Sequence, residues 1–258
     1  MVDPTADGSS GMTFLDAAGG WLTNPANWAG PGGIPARLVE HLALSSAALL
    51  IATAVALPAG LAVGHSRRGS GLAVGLANVG RAIPSFALMG LVLPITQAFD
   101  PANGFTTYPT LFAMAVLAIP PILVNTLTGI REVDADLVEA ARGMGFTELA
   151  VLAHVEVPLA LPVILGGFRS ATVQVIATTT LGAILAYGGF GRYIIDGIAQ
   201  NDDGMLYGGV VLVAVLAVGS EALLAVLQRV TAERGRRPSI GPIAIGEPAE
   251  AARPAGFP

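Results

Sequence analysis

The chain has 258 residues, of which 53% are hydrophobic and 12% are charged, and its formal net charge is −5. This composition is too apolar for a soluble domain and indicates a multi-pass membrane protein, and the negative charge argues against nucleic-acid binding. The absence of cysteine excludes disulfides and thiol chemistry, and the absence of lysine excludes a phosphate-binding loop of the Walker type.

Residues 1–36 precede the first apolar segment and are rich in glycine, proline and asparagine. We interpret them as an extracytoplasmic tail or an interfacial segment. No basic residue comes before Arg37, so we expect no cleavable signal peptide. Trp21 and Trp28 are of the type that favours the membrane interface, and for this reason we favour a partly ordered segment over a disordered tail.

Five apolar segments predict an all-α polytopic membrane protein with about five transmembrane helices, in a domain covering residues 37–230. The first segment has no Asp, Glu, Lys or Arg and is long enough to cross a hydrocarbon core of about 30 Å. Pro120 and Pro121 are expected to interrupt the third. The predicted spans are residues 42–64, 72–99, 109–130, 161–187 and 205–228. Residues 231–258 are predicted to be a disordered cytoplasmic tail.

Arginine is divided unequally between the two sets of loops. One set holds only Arg37 and Arg192. The other set holds Arg67, Arg68, Arg131, Arg142, Arg229, Arg234, Arg236 and Arg237. The positive-inside rule therefore predicts an external N-terminus, a cytoplasmic C-terminus and a cytoplasmic loop between the third and fourth spans.

That loop, residues 139–158, is polar and predicted to be helical. Residues 137–144 can form two helical turns, and Gly145 is expected to end them in the left-handed conformation. Thr147 is a candidate N-cap for a second short helix. Pro158 is expected to break the chain before the next span.

One pattern in this loop combines an acidic residue, two alanines, a glycine and an aliphatic group closed by proline. Its members are Glu139, Ala140, Ala141, Gly145, Val155, Val157 and Pro158. Three residues separate the alanines from the glycine, and nine separate the glycine from the aliphatic group. This spacing resembles the EAA loop of bacterial ABC-importer permeases. A chance match in a surface helical hairpin is the alternative, because EAA alone is common in alanine-rich chains.

The resemblance implies that the loop docks into a groove of a separate ABC ATPase subunit, which binds the ATP. This chain would then be no enzyme and would carry no cofactor or metal of its own. The other implied partners are an extracytoplasmic substrate-binding protein, a second permease copy or a sister permease, and the lipid of the cell (cytoplasmic) membrane.

Among importer permeases the chain is most similar to the osmoprotectant type, which serves glycine betaine, choline or carnitine. The supporting segments are residues 40–45, 81–85 and 188–191, together with the loop pattern. Permeases of the methionine type share some of these features and remain an alternative. An ion-coupled secondary transporter is a further alternative, although we see no internal repeat and few charges at mid-membrane. Both tryptophans precede the first span, so the sequence reveals no aromatic cage for a quaternary ammonium group.

Four residues are candidates for lining a translocation path. Gln174 and Thr178 lie one turn apart in the fourth span and could present one polar face. Alternatively, the threonine bonds its own helix backbone or a neighbouring helix. Pro84 and Ser85 lie at the start of the second span, where a gate or hinge is the functional interpretation and a simple kink is the structural one.

Two charges of opposite sign are predicted to meet inside the membrane. Arg169 in the fourth span and Glu221 in the fifth lie at similar depths from the predicted cytoplasmic face. An ion pair would offset the cost of burying each charge, and snorkelling is the alternative. His41, His65 and His154 show no metal-ligand spacing and are interpreted as structural or surface residues.

Overall fold

The computed structural model describes residues 13–235, with side chains through Val230, and all regular structure in that range is helical. Residues 1–12 and most of the predicted C-terminal tail, 236–258, lie outside the described residues. The helices are α1 Phe14–Thr23, α2 Ile34–Ser66, α3 Ser70–Ala82, α4 Ser85–Phe99, α5 Thr107–Arg131, α6 Ala135–Gly143, α7 Glu148–Val151, α8 Val157–Thr179, α9 Gly191–Gln200 and α10 Asp203–Gly235. Short 3-10 helices cover Pro25–Trp28 and Thr180–Leu185, and a π-helical turn covers Leu152–Glu156.

The predicted fold class is confirmed. Four helical stretches are long and apolar enough to cross a membrane, and they correspond to the first, third, fourth and fifth predicted spans. A bent pair of helices, α3 and α4, makes up the fifth candidate and corresponds to the second predicted span. The four continuous stretches are Ile34–Ser66, Thr107–Arg131, Glu148–Leu185 and Asp203–Val230.

Helix α5 lies at the centre of the bundle, packed against α2 and α8. A small residue recurs at every fourth position of α2 and gives this helix a flat face: Ala48, Ala52, Ala56, Gly60 and Gly64. All five are buried. A Cβ atom added at Gly60 would lie 2.7 Å from Cβ of Thr126 on α5. The stripe therefore allows the two backbones to approach closely, as small residues do between membrane helices.

The expectation that Pro120 and Pro121 interrupt the third span is wrong. Helix α5 runs through both prolines, and both are buried. A proline removes one backbone donor but leaves the other bonds of the helix in place. The Asn125 side chain also donates to the Pro121 carbonyl (2.8 Å). Packing on both sides then maintains the helix through the double proline.

The second predicted span, residues 72–99, is not one helix. Helices α3 and α4 meet at an angle of 88°. Ile83 and Pro84 are both extended between them, with ψ angles of 123° and 128°. A residue before proline is disfavoured in the helical region, so the chain leaves the helix at this point and restarts at Ser85.

The segment before the first span is helical and packs on the bundle. The ring of Phe14 lies 4.9 Å from that of Tyr207, and Trp21 meets Tyr193 edge-on at 4.8 Å. The Trp28 indole N–H donates to the Leu22 carbonyl (2.7 Å). At the other end of the chain, α10 extends to Gly235, past the position where the tail was predicted to begin.

Candidate functional site

The polar loop between α5 and α8 begins with α6, whose first turn is capped by Asp134. The Asp134 carboxylate accepts from the Asp136 backbone N–H (2.9 Å). The helix ends at Gly143, and Gly145 has a φ of +86°. Thr147 then caps α7 by accepting from the Ala150 N–H (3.3 Å). The predicted glycine turn and threonine cap are therefore both found in the loop.

The predicted break at Pro158 is wrong. The chain remains helical from Glu148 to Leu185, with a π-helical turn at Leu152–Glu156 just before the proline. A π turn inserts an extra residue and shifts the hydrogen-bond register. Pro158 follows directly after this turn, and the helix continues through it although its nitrogen carries no hydrogen. The second short helix of the loop and the fourth span are consequently one continuous helix.

The residues of the loop pattern divide into an exposed and a packed group. Glu139, Ala140, Gly145 and Pro158 are exposed. Ala141 is buried and, with Val155 and Val157, belongs to an apolar cluster that also contains Ile130, Val133, Val138, Val151, Ala160 and Ile164. This cluster fixes α6 and the π turn to the ends of α5 and α8.

Four large apolar side chains at this end of the bundle are exposed, and we call them the loop surface: Leu137, Met144, Phe146 and Leu149, with exposed fractions of 50%, 71%, 41% and 75%. Next to them, the Arg142 guanidinium donates two hydrogen bonds to Glu148, Nε to Oε1 at 2.9 Å and Nη2 to Oε2 at 2.8 Å. These bonds raise the pKa of Arg142 above its usual range. The surface combines apolar anchors with a charged rim, an arrangement typical of protein-binding sites.

The opposite end of the bundle joins α2 to the glycine-rich turn at residues 188–191. The Gly189 N–H donates to the Glu40 carboxylate (2.8 Å), and the Tyr187 hydroxyl donates to the Glu40 carbonyl (2.9 Å). Gly189 has a φ of +78°, and a Cβ at Gly188 would overlap the Glu40 carboxylate. The sequence segments 40–45 and 188–191, singled out separately, therefore meet in space.

His41 occupies the same junction and is fully buried. Its Nε2 lies 2.9 Å from the Ile176 carbonyl oxygen, and its Nδ1 accepts from the Phe190 N–H (3.3 Å). A carbonyl can only accept, so Nε2 carries the proton. Ser45 lies one helical turn after His41 on α2, and its hydroxyl is hydrogen-bonded to the Thr179 hydroxyl (3.1 Å). The histidine and the serine therefore both join α2 to α8.

The candidate path residues of the fourth span are half-buried. The Thr178 hydroxyl donates to the Gln174 carbonyl at 2.7 Å. The hydroxyl proton is therefore used within its own helix, which agrees with the alternative that the threonine bonds its own backbone. Pro84 is exposed and Ser85 half-buried at the break between α3 and α4. The structure does not bring the 84–85 pair together with Gln174 and Thr178 in a described cavity, and their role in a path stays a prediction.

Arg169 on α8 and Glu221 on α10 lie 3.0 Å apart, Nε to Oε1. Gln228 extends this contact, since its Oε1 accepts from Arg169 Nη1 (2.7 Å) and its Nε2 donates to the Pro162 carbonyl (2.7 Å). Sequence reasoning did not identify Gln228. The sequence feature that could have identified it is an amide side chain two helical turns after Glu221, on the same face of α10.

The fold and the loop together define a multi-pass membrane protein of the ABC-permease class. Residues 52–237 match the family described as "Binding-protein-dependent transport system inner membrane component". OpuCB of Bacillus subtilis (strain 168), a glycine betaine/carnitine/choline transport system permease protein, is 32% identical over 224 residues, which cover 87% of this chain and 94% of that protein. OsmW of Salmonella typhimurium, an osmoprotectant import permease protein, is 33% identical over 77% of this chain and 91% of that protein. The chain therefore belongs to the family of binding-protein-dependent transport system inner membrane components.

A solved structure supports the fold independently. An inward-facing structure of the MetNI methionine ABC transporter contains a chain that is 21% identical to this one. The likeness covers 81% of this chain and 99% of that chain, with a TM-score of 0.70. At this identity the comparison establishes the helical architecture.

Proposed function

We propose that this chain is the permease subunit of an ATP-driven importer for osmoprotectants of the glycine betaine, choline and carnitine type. The observation that carries the proposal is the identity of 32% to OpuCB along 94% of that permease. A choline transport system permease protein, OpuBB of the same organism, is 33% identical over 86% of its length. The likeness to the methionine transporter supports the fold and is too distant to favour methionine as the substrate.

The loop surface is the proposed docking site for the ATPase subunit. Apolar side chains exposed at 41–75% occur beside exposed Glu139 and the Arg142–Glu148 pair. In a membrane protein, large apolar side chains in a polar loop face water when they have no partner. Docking on a second protein would remove them from water, and movement of the ATPase would reach the spans through α8.

The arginine asymmetry supports a cytoplasmic location for this loop and an external location for the opposite end. The substrate-binding protein would then deliver solute at the end that carries residues 188–191. A second permease, identical or related, would complete the path. Substrate choice would belong largely to the binding protein, in keeping with the absence of tryptophan after residue 28.

The test is uptake by the reconstituted complex. The permease is combined in proteoliposomes with the ATPase and binding protein of the same organism that co-purify with it, and uptake of radiolabelled glycine betaine, choline, carnitine and methionine is compared with and without internal ATP. We expect ATP-dependent uptake of at least one quaternary ammonium solute, unaffected by ionophores that collapse ion gradients. Uptake of methionine alone, or uptake driven by an ion gradient without ATP, would contradict the proposal.

A further inference from the structure

His65, near the end of α2, bridges two carboxylates of the coupling region. Its Nδ1 lies 2.6 Å from Glu156 Oε2, and its Nε2 lies 3.2 Å from Glu148 Oε2. Glu156 is on the π turn, and Glu148 begins α7. One imidazole therefore joins the first span to both parts of the helix that leads from the loop into the fourth span.

Burial makes this bridge different from a surface ion pair. The side chain of Glu156 is only 3% exposed, and that of His65 is 18% exposed. A buried carboxylate that loses its partner is strongly penalised, since neither water nor another donor replaces it. His65 is the hydrogen-bond partner found for the Glu156 carboxylate in the described part of the chain.

The chemistry of the short contact requires a proton between Nδ1 and Oε2. A histidine nitrogen without a proton and an ionised carboxylate are both acceptors and would repel each other at 2.6 Å. An imidazole with its proton on Nδ1, whether neutral or charged, donates to the Glu156 carboxylate, and a protonated Glu156 donates to a bare Nδ1. In each case one proton lies between Nδ1 and Oε2 and joins the two side chains.

Charged groups from several elements face or surround this proton. Glu156 and Glu148 approach the imidazole directly, and Arg142 of α6 lies behind Glu148. Arg67, two residues further along the chain, lines a cavity of about 250 Å³ together with Glu139 and Arg142. The bridge is thus part of the same charged cluster as the exposed glutamate of the loop pattern.

We propose that His65 is a positioning residue for the coupling loop: the proton shared with Glu156 holds the start of the α7–α8 helix against the end of α2 and so fixes the loop surface for the ATPase. The part of this inference that concerns the ATPase rests on the proposed function. Loss of this hydrogen bond, through replacement of either side chain, frees the loop and uncouples ATP hydrolysis from transport.

The test uses distances within the complete transporter, because the chain is naturally free of cysteine. Spin labels at Arg68→Cys and Ala153→Cys, both exposed positions outside the loop surface, report the distance between the end of α2 and the π turn. In the parent sequence we expect one narrow distance distribution. It should broaden in His65→Asn and in Glu156→Gln, whereas it should remain narrow in His65→Arg, which keeps a donor for the buried carboxylate.

His154→Asn is the matched control. This histidine lies on the same π turn but is exposed, and within the described residues its contact is to its own helix, at the Ala150 carbonyl. The second readout is the ratio of solute transported to ATP hydrolysed, which should fall about tenfold in His65→Asn, as expected for one charge-assisted hydrogen bond. The His154 variant should match the parent chain in both readouts.

The outcomes separate this inference from the proposed function. Narrow distances with normal coupling in His65→Asn, or a broadening that is identical in His65→Arg, would overturn the positioning role. Broadened distances in a complex whose parent form shows no ATP-dependent uptake would support the positioning role and refute the importer. If His65→Asn does not fold, Glu156→Gln and His65→Arg decide the question.

Discussion

Arg169 and Glu221 join the fourth and fifth spans through a contact of 3.0 Å between Nε and Oε1. The two side chains are partly exposed, at 34% and 41%. The Arg169–Gln228 bond then adds a second contact between the same two helices, so that the pair is one part of a small polar network.

A double-mutant cycle tests this pair. We expect Arg169→Leu and Glu221→Leu each to lower folded yield and transport, because each leaves one charge without its partner. The double variant should lose less than the two single losses combined, by a coupling energy of about 0.5–3 kcal/mol. Unfolding midpoints in detergent and uptake rates provide the two measurements. Strict additivity would show that the two side chains act independently.

Gly145→Pro should abolish coupling without preventing membrane insertion. The φ of +86° at this position is closed to proline, whose ring fixes φ near −65°. Helix α6 and α7 would then meet at a different angle, and the loop surface would be displaced. Gly143→Ala is the control, since that residue is helical and has open space for a Cβ. Equal transport-to-ATP ratios in both variants would argue against the loop as the coupling element.

Glu139→Lys tests the charge of the proposed docking face. Glu139 is exposed and makes no hydrogen bond or ion pair found in the described structure, so its reversal should leave folding unchanged. We expect weaker co-purification with the ATPase subunit and a lower uptake rate, because a like or mismatched charge across an interface is unfavourable. Asp136→Lys, on the same helix, provides a comparison. An unaltered association of Glu139→Lys with the ATPase would place the docking face elsewhere.

Gly60→Leu should destabilise the bundle far more than Gly75→Leu. Even a Cβ at Gly60 would meet Thr126 at 2.7 Å, whereas nothing lies within 4 Å of a Cβ at Gly75. Overpacking of a close helix contact typically costs about 1–3 kcal/mol, and a leucine between two backbones should reach the upper part of that range. Thermal unfolding in detergent measures the difference. Similar midpoints for the two variants would mean that α2 and α5 can separate without cost.

Single cysteines at Gly69 and Asn103 test the orientation that the arginine distribution predicts. We expect a membrane-impermeant maleimide to label position 103 from outside intact cells and position 69 only after the membrane is opened. The cysteine-free parent chain supplies an unlabelled background. Labelling of position 103 only from the inside would reverse the predicted topology.

Local features of the loop were predictable from sequence, because local chemistry decides them. Gly145 accepts a positive φ at no steric cost, and Thr147 carries a hydroxyl at the start of a helix. The helix break at Pro84 was also predictable, because the proline ring acts on the local backbone. Its 88° angle was not predictable, since proline specifies extended backbone at one residue and the packing of α3 and α4 on α5 decides where each helix goes.

The contacts that were missed join residues far apart in the sequence. His65 and Glu156 are 91 residues apart, and His41 and Ile176 are 135 apart. A single sequence carries no periodicity that relates such positions. The prediction of a helix break at Pro158 was wrong for a different reason. A π turn shifts the hydrogen-bond register ahead of the proline, and neither periodicity nor composition indicates such a turn.

The unbroken helix from Glu148 to Leu185 also has a mechanical consequence. Its 38 residues span about 57 Å at a rise of 1.5 Å per residue, with Leu149 at one tip and the Ile176 contact of His41 near the other. If the loop surface moves with a docked ATPase, as proposed, a displacement of Leu149 would be carried along this helix to the buried His41 at the opposite end of the bundle.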